Sequence, residues 1–126
     1  MSDWTSDELD KVGAAEELEL ASLRGDGSLR RPVTIWDVRL GDHIYVRAIH
    51  GRASPWFRGA AERHEGHIAA SGVEKDVRFQ EESDPGLMDR IDAAYRAKYH
   101  RYAASIVNTT LSQQARAATL KLTPRP

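Results

Sequence analysis

At 126 residues, with 40% apolar and 29% charged side chains, the chain has the length and make-up of a single globular domain, 1–126. It contains no cysteine, which excludes disulfides, thiolate metal sites and a cysteine nucleophile. A formal net charge of −1 argues against a nucleic-acid binder, and no apolar run approaches the roughly 20 residues of a membrane helix.

Charge is unevenly distributed. Residues 1–26 carry eight acidic and two basic side chains, whereas 30–63 carry seven arginines against Asp37, Asp42 and Glu62. Residues 64–92 are acidic again, and 93–126 have six basic side chains and no acidic one. Alternating blocks of this kind suit an ordinary solvated surface, or one positive face if the fold joins the basic segments. The N-terminus, MSDWTSDELD, is acidic and unlike a secretory leader, so a cytoplasmic protein is expected.

Thr5 and Glu8 have the spacing of a capping box and open a short helix that Gly13 can end. Glu17–Leu23 alternates with period two and reads as a strand, followed by turn residues Arg24-Gly25-Asp26-Gly27-Ser28. A second strand over Arg31–Arg39 is rich in Val, Ile, Thr and Trp, with apolar residues on both faces: Val33 and Ile35 against Trp36 and Val38. Leu40-Gly41-Asp42 turns the chain into a third strand, His43–His50, completing a meander. Pro55 suits the first helical position, and a helix is predicted from there to about Arg63, broken by Gly66.

His67–Ser71, Gly72 and Val73–Gln80 read as a hairpin. The longest helix follows Asp84-Pro85 over about 86–102, with Leu87, Met88, Ile91, Ala94, Tyr95, Lys98 and Tyr102 as its inner stripe. A short helix near Ser112–Ala117 and a closing strand, 118–122, complete the order α-β-β-β-α-β-β-α-β. Six short strands joined mainly by hairpins predict an α+β fold: a small closed or split β-barrel, with a short N-terminal helix and one long helix packed outside.

The most informative segment for function is Arg47–Arg58, RAIHGRASPWFR, where a strand end passes through a loop into a helix start. Backbone N–H groups, a helix dipole and several arginines converge there, a combination suited to phosphate. Arg47, His50, Arg52, Ser54, Pro55, Trp56 and Arg58 are therefore the candidate cofactor-binding residues, the alternative being a solvated basic loop. Guanidinium forks suit phosphate, Ser54 offers a hydroxyl, and Trp56 or Trp36 offers an aromatic wall or simply fills the core.

Tyr95, Tyr99 and Tyr102 are expected to pack the long helix. His64 and His67 are three apart, but with Gly66 between them no metal site is expected. There is no G-x-S-x-G elbow and no glycine-rich nucleotide fingerprint, and Arg24-Gly25-Asp26 is a hairpin turn.

Taken together, Trp4-Thr5, Asp7-Glu8-Leu9, Val33-Thr34-Ile35-Trp36, Tyr45-Val46-Arg47, Pro55-Trp56-Phe57-Arg58 and Ile91–Tyr99 resemble a bacterial family known only as a domain of unknown function. Over residues 30–80 the pattern is also similar to the FMN-binding split-barrel superfamily, with its pyridoxamine phosphate oxidase-like and deazaflavin-dependent nitroreductase-like members. In the latter group a Pro-Trp-aromatic helix start lies near the cofactor phosphates, and Pro55, Trp56 and Phe57 match it. The resemblance implies a homodimer that binds FMN or a deazaflavin coenzyme, an oxidoreductase transferring hydride to a small molecule. The alternatives are a cofactor-free barrel that binds a ligand or a protein, and, on the histidines alone, a metal-dependent hydrolase.

Overall fold

A computed structural model describes residues 3–125. Helix α1 (Ser6–Ala14) begins with the predicted capping box: the Thr5 hydroxyl accepts from the Glu8 amide at 3.1 Å, and the Glu8 carboxylate accepts from the Thr5 amide at 2.9 Å. Strands β1 (Leu18–Ser22), β2 (Val33–Ile35), β3 (Asp37–Leu40) and β4 (His43–Arg47) follow. Helix α2 spans Pro55–Arg63, the hairpin is β5 (Glu65–Ala70) and β6 (Val73–Glu82), and the long helix α3 spans Pro85–Lys98. Two single-turn helices, α4 (Ala104–Val107) and α5 (Gln113–Arg116), flank a 3-10 turn over Asn108–Thr110, and β7 (Thr119–Pro124) closes the chain.

All seven strands form one antiparallel sheet in the order β2-β1-β5-β6-β7-β4-β3. Its two edge strands, β2 and β3, are consecutive in the chain and separated only by Trp36. The sheet is thus bent into a nearly closed barrel, with Trp36 at the corner.

The predicted strand Arg31–Arg39 is broken at that corner, which is why seven strands occur where six were expected. The physical cause is the apolar residues on both faces. Val33 and Ile35 pack on the barrel core, while Trp36 and Val38 turn to a second core beneath α3.

The barrel core is built from alternate residues: Leu18 and Leu20, Ile44 and Val46, Val77 and Phe79, Leu120 and Leu122. Helix α1 adds Leu9 and Val12, and the Trp4 indole donates to the Leu122 carbonyl at 3.0 Å. The second core joins Val38 and Tyr45 to Met88, Ile91, Tyr95 and Tyr99 of α3. Helix α3 ends at Lys98, one turn before the predicted limit, and Asp84 caps it through the Leu87 amide at 2.9 Å.

Two details of the sequence reading change. Helix α2 ends at Arg63 as expected, but it is stopped by His64, in the left-handed region at φ 60°, and not by Gly66. Gly66 lies inside β5, where an added Cβ would sit 2.3 Å from the Ala21 carbonyl oxygen and 2.8 Å from the Phe79 ring. It is glycine because two strands and an aromatic ring close on that point. The predicted strand ending at His50 stops at Arg47, leaving 48–54 as a loop.

Candidate functional site

A cleft of about 400 Å³ opens between the β2–β3 corner, the loop after β4 and the segment from α4 to the 3-10 turn. Its walls are mainly apolar: Val33 and Ile35 from β2, the corner residue Trp36, Ile49, Trp56 and Ile106, with Tyr95 of α3 also in the lining. Such a composition, with few polar groups, is typical of a small-molecule site. Ile49 and Ile106 are among the exposed large apolar residues of the protein.

Of the seven predicted site residues, Arg47, His50, Ser54 and Trp56 line this cleft, whereas Arg52, Pro55 and Arg58 do not. Arg47 is fully buried, and its donors are engaged within the fold. Its guanidinium reaches the Asp92 carboxylate at 2.5 Å, the Thr110 carbonyl at 2.8 Å, the Thr119 hydroxyl at 3.0 Å and the Met88 carbonyl at 3.3 Å. Arg116 completes the network from α5, donating to the other Asp92 oxygen at 2.6 Å. Arg47 therefore holds the 3-10 turn, α3 and β7 around the cleft, a positioning role. Arg52 is exposed, donates to Glu81 at 2.5 Å and the Ala117 carbonyl at 2.9 Å, and lies 5.2 Å over the Phe57 ring.

The loop carrying His50 is pinned at several points. Gly51 adopts φ 82° and its backbone amide donates to the Ala48 carbonyl at 2.9 Å, while the Gln114 side-chain amide donates to the Ile49 carbonyl at 2.9 Å. The Ser54 amide donates to the Gly51 carbonyl at 3.1 Å. A loop so tied presents His50 and Ser54 to the cleft with little ordering cost.

Ser54 itself is the N-cap residue of α2, yet its hydroxyl makes no capping bond. The residue is nine-tenths buried and lines the cleft, and its hydroxyl has no hydrogen-bond partner among the described residues. Pro55 has no N–H, and the first α2 amide with a helical acceptor is that of Arg58, bonded to the Ser54 carbonyl at 3.0 Å. The Trp56 and Phe57 amides thus have no acceptor among the described residues, at a helix start with no acidic side chain in its first turn.

Beneath the corner, Trp36 stacks on Tyr99 with ring centroids 3.8 Å apart and planes 4° apart. The Tyr99 hydroxyl accepts from the Asp37 amide at 3.2 Å and lies 3.0 Å from the Glu16 carbonyl, to which it donates. The Lys98 ammonium donates to the Asp37 carbonyl at 2.8 Å and its carboxylate at 3.2 Å. Asp37 is fully buried, with its second carboxylate oxygen unpartnered among the described residues.

Burial pushes the Asp37 carboxyl up to about 6, against the pull of Lys98, and burial likewise pushes Lys98 down despite Asp37. Both partners report that desolvation exceeds their attraction. Burial also raises the Tyr95 phenol, opposed by the Arg47 charge 5.6 Å from its ring.

Sequence reasoning missed Asp92 and the 3-10 turn. Asp92 had a signal: it falls between Ile91 and Tyr95 on the inner stripe of α3, where an unpaired carboxylate is not tolerated. Thr109, Thr110 and Ile106 had none, because single helical turns leave no periodicity to read. The histidine pair is not assembled: His64 caps α2, and His67 bridges Asp76 at 3.0 Å and Glu74 at 3.2 Å across the hairpin. No group of three or more metal-ligating side chains occurs among the described residues, nor a helix long and apolar enough to cross a membrane.

The fold and cleft define a split-barrel protein, and comparisons agree. The chain belongs to the family of uncharacterised proteins conserved in bacteria designated DUF2255, whose profile matches residues 8–122. No curated protein matches it.

Among solved structures, it is similar to the conserved hypothetical protein Rv2991 from Mycobacterium tuberculosis, with TM-score 0.70 and 13% identity over 99% of this chain and 83% of that one. It is similar to HutZ, the heme storage protein from Vibrio cholerae, with TM-score 0.70 and 13% identity over 96% and 90% of the two chains. An F420 reductase aligns with TM-score 0.57 and 13% identity over 94% and 91%. Further structural neighbours are of the pyridoxamine oxidase-like split-barrel kind. At these identities the likeness is one of fold.

Proposed function

We propose that the cleft holds a flavin-type cofactor, FMN or a deazaflavin, and that the protein is an oxidoreductase acting on a small molecule. The observation that carries this reading is Ser54, a largely buried residue whose hydroxyl has no partner among the described residues, at a helix start without a side-chain cap and in the lining of an aromatic-walled cleft. That end of the cleft suits a phosphate, which would accept from the Ser54 hydroxyl and the Trp56 and Phe57 amides, with His50 beside it. Fold relatives bearing the names of F420 and heme support reading the same cleft as a cofactor site.

When bound, such a cofactor supplies the hydride chemistry itself. The residues of this chain do the rest. Trp56, Trp36 and the apolar lining exclude water and hold a planar ring, and Pro55 sets the first turn of α2. Arg47, through Asp92 and the Thr110 carbonyl, keeps the far wall in place. Arg52 and Arg58 add positive field around the loop without entering the cleft. In the homodimer we propose, a second copy covers the exposed Ile49 and Ile106 at the cleft rim.

The test is equilibrium titration of the purified protein with FMN and, separately, with the deazaflavin coenzyme, read by cofactor fluorescence. Saturable low-micromolar binding of one cofactor is expected. Absence of binding by either at high concentration refutes the reading and leaves a cofactor-free barrel.

A further inference from the structure

Glu17, the residue before β1, lines the cleft beside the end of the β1–β2 pair. It is exposed and makes no ion pair or hydrogen bond among the described residues, whereas adjacent Glu16 is held by Arg101 and Tyr102. The register Leu18↔Ile35 places Glu17 beside Trp36 at the end of the β1–β2 ladder. Trp36 has one face committed to Tyr99, is half-buried, and its indole N–H is without a partner among the described residues. Asp92 is paired with Arg47, and Glu17 is the one carboxylate in the cleft lining among the described residues, with no basic side chain paired to it there.

Resting on the cofactor reading of the cleft, we infer that Glu17 and Trp36 read the edge of the bound ring. The carboxylate accepts from a ring N–H and the indole donates to the neighbouring ring carbonyl. That pairing fits a fused pyrimidinedione, whose edge alternates C=O and N–H. It does not fit a porphyrin, which offers no peripheral N–H and brings carboxylates that Glu17 repels. Glu17 is thus a specificity-determining residue, distinct from the phosphate end at Ser54.

The experiment titrates the wild-type protein and Glu17→Ala with riboflavin, N3-methylriboflavin and hemin, with FMN as the reference. Glu17 has no internal partner, so the variant should keep the wild-type melting temperature. The wild type should bind riboflavin about tenfold more tightly than its N3-methyl analogue, the scale of one hydrogen bond to a charged group. In Glu17→Ala that discrimination should vanish while the preference for FMN over riboflavin persists.

Equal wild-type affinities for the two riboflavins, discrimination retained in Glu17→Ala, or hemin binding more tightly than riboflavin would overturn the inference while FMN binding still stands. Failure of the wild type to bind FMN at all overturns the cofactor reading and this inference together.

Discussion

Replacing Asp37 by Asn should stabilise the protein at neutral pH and leave it little changed or weaker in acid. The Asp37 carboxyl is fully buried, with one oxygen 3.2 Å from Lys98 and the other unpartnered among the described residues. Its folded-state value is raised, so the native state holds the proton more tightly than the unfolded chain does. The stabilisation from that proton is complete below the unfolded value and is lost as pH rises through the folded one. Moving from 3.8 to about 6, at about 1.4 kcal/mol per pH unit, the group costs about 3 kcal/mol once ionised.

Asparagine has the same shape and does not titrate. In acid the wild-type carboxyl is itself protonated and neutral, so there the variant should differ little from the wild type. The stability difference between variant and wild type, from urea denaturation, should therefore move by about 2 kcal/mol in the variant's favour between about pH 4 and pH 7. A difference constant across that range would refute the reasoning, showing that Lys98 compensates the burial of the charge.

Other substitutions test separate parts of the structure. Gly66→Ala puts a methyl 2.3 Å from the Ala21 carbonyl and should cost about 3 kcal/mol, seen as a lowered urea midpoint; an unchanged midpoint would contradict the close approach. Asp92→Ala leaves the Arg47 guanidinium buried without its carboxylate and should cost about 3–5 kcal/mol, whereas loss of a surface ion pair would cost under about 1 kcal/mol. Ser54→Ala removes a hydroxyl that makes no capping bond, so stability should change by less than about 0.5 kcal/mol. Thr5→Ala, which removes a formed cap, should lose about 1 kcal/mol by the same assay.

Much of the fold is legible in local signals because those signals do not depend on distant partners. Thr5 and Glu8 satisfy each other within one turn, and Asp84 reaches Leu87 within another. Ser71 and Gly72, both at positive φ, make the hairpin between β5 and β6 as turn chemistry requires. What local reading misses is set by tertiary contact. The break at Trp36 follows from two cores pulling adjacent residues to opposite faces, a fact visible in the sequence only as apolar residues at both parities. Gly66 looks like a helix breaker until the Ala21 carbonyl and Phe79 ring occupy the space beside it.

The same distinction applies to the site. Arg47 reads as a phosphate ligand by its position at a strand end, but a carboxylate 45 residues away already claims it. Ser54 and Trp56, which line the cleft, sit at a helix start that has a local signature, whereas Glu17 joins the same lining from a distant segment and carries no such signal. Segments 104–107 and 113–116 contribute walls through single turns too short for a hydrophobic period to mark.

The central claim, that the α2 start receives the phosphate of a bound flavin, is tested most directly by comparing FMN with riboflavin on the wild type and on Ser54→Ala. The wild type should bind FMN at least about tenfold more tightly than riboflavin, and Ser54→Ala should lose most of that preference with its melting temperature intact. Equal affinities of the wild type for the two ligands, or a preference unaffected by the substitution, would contradict it.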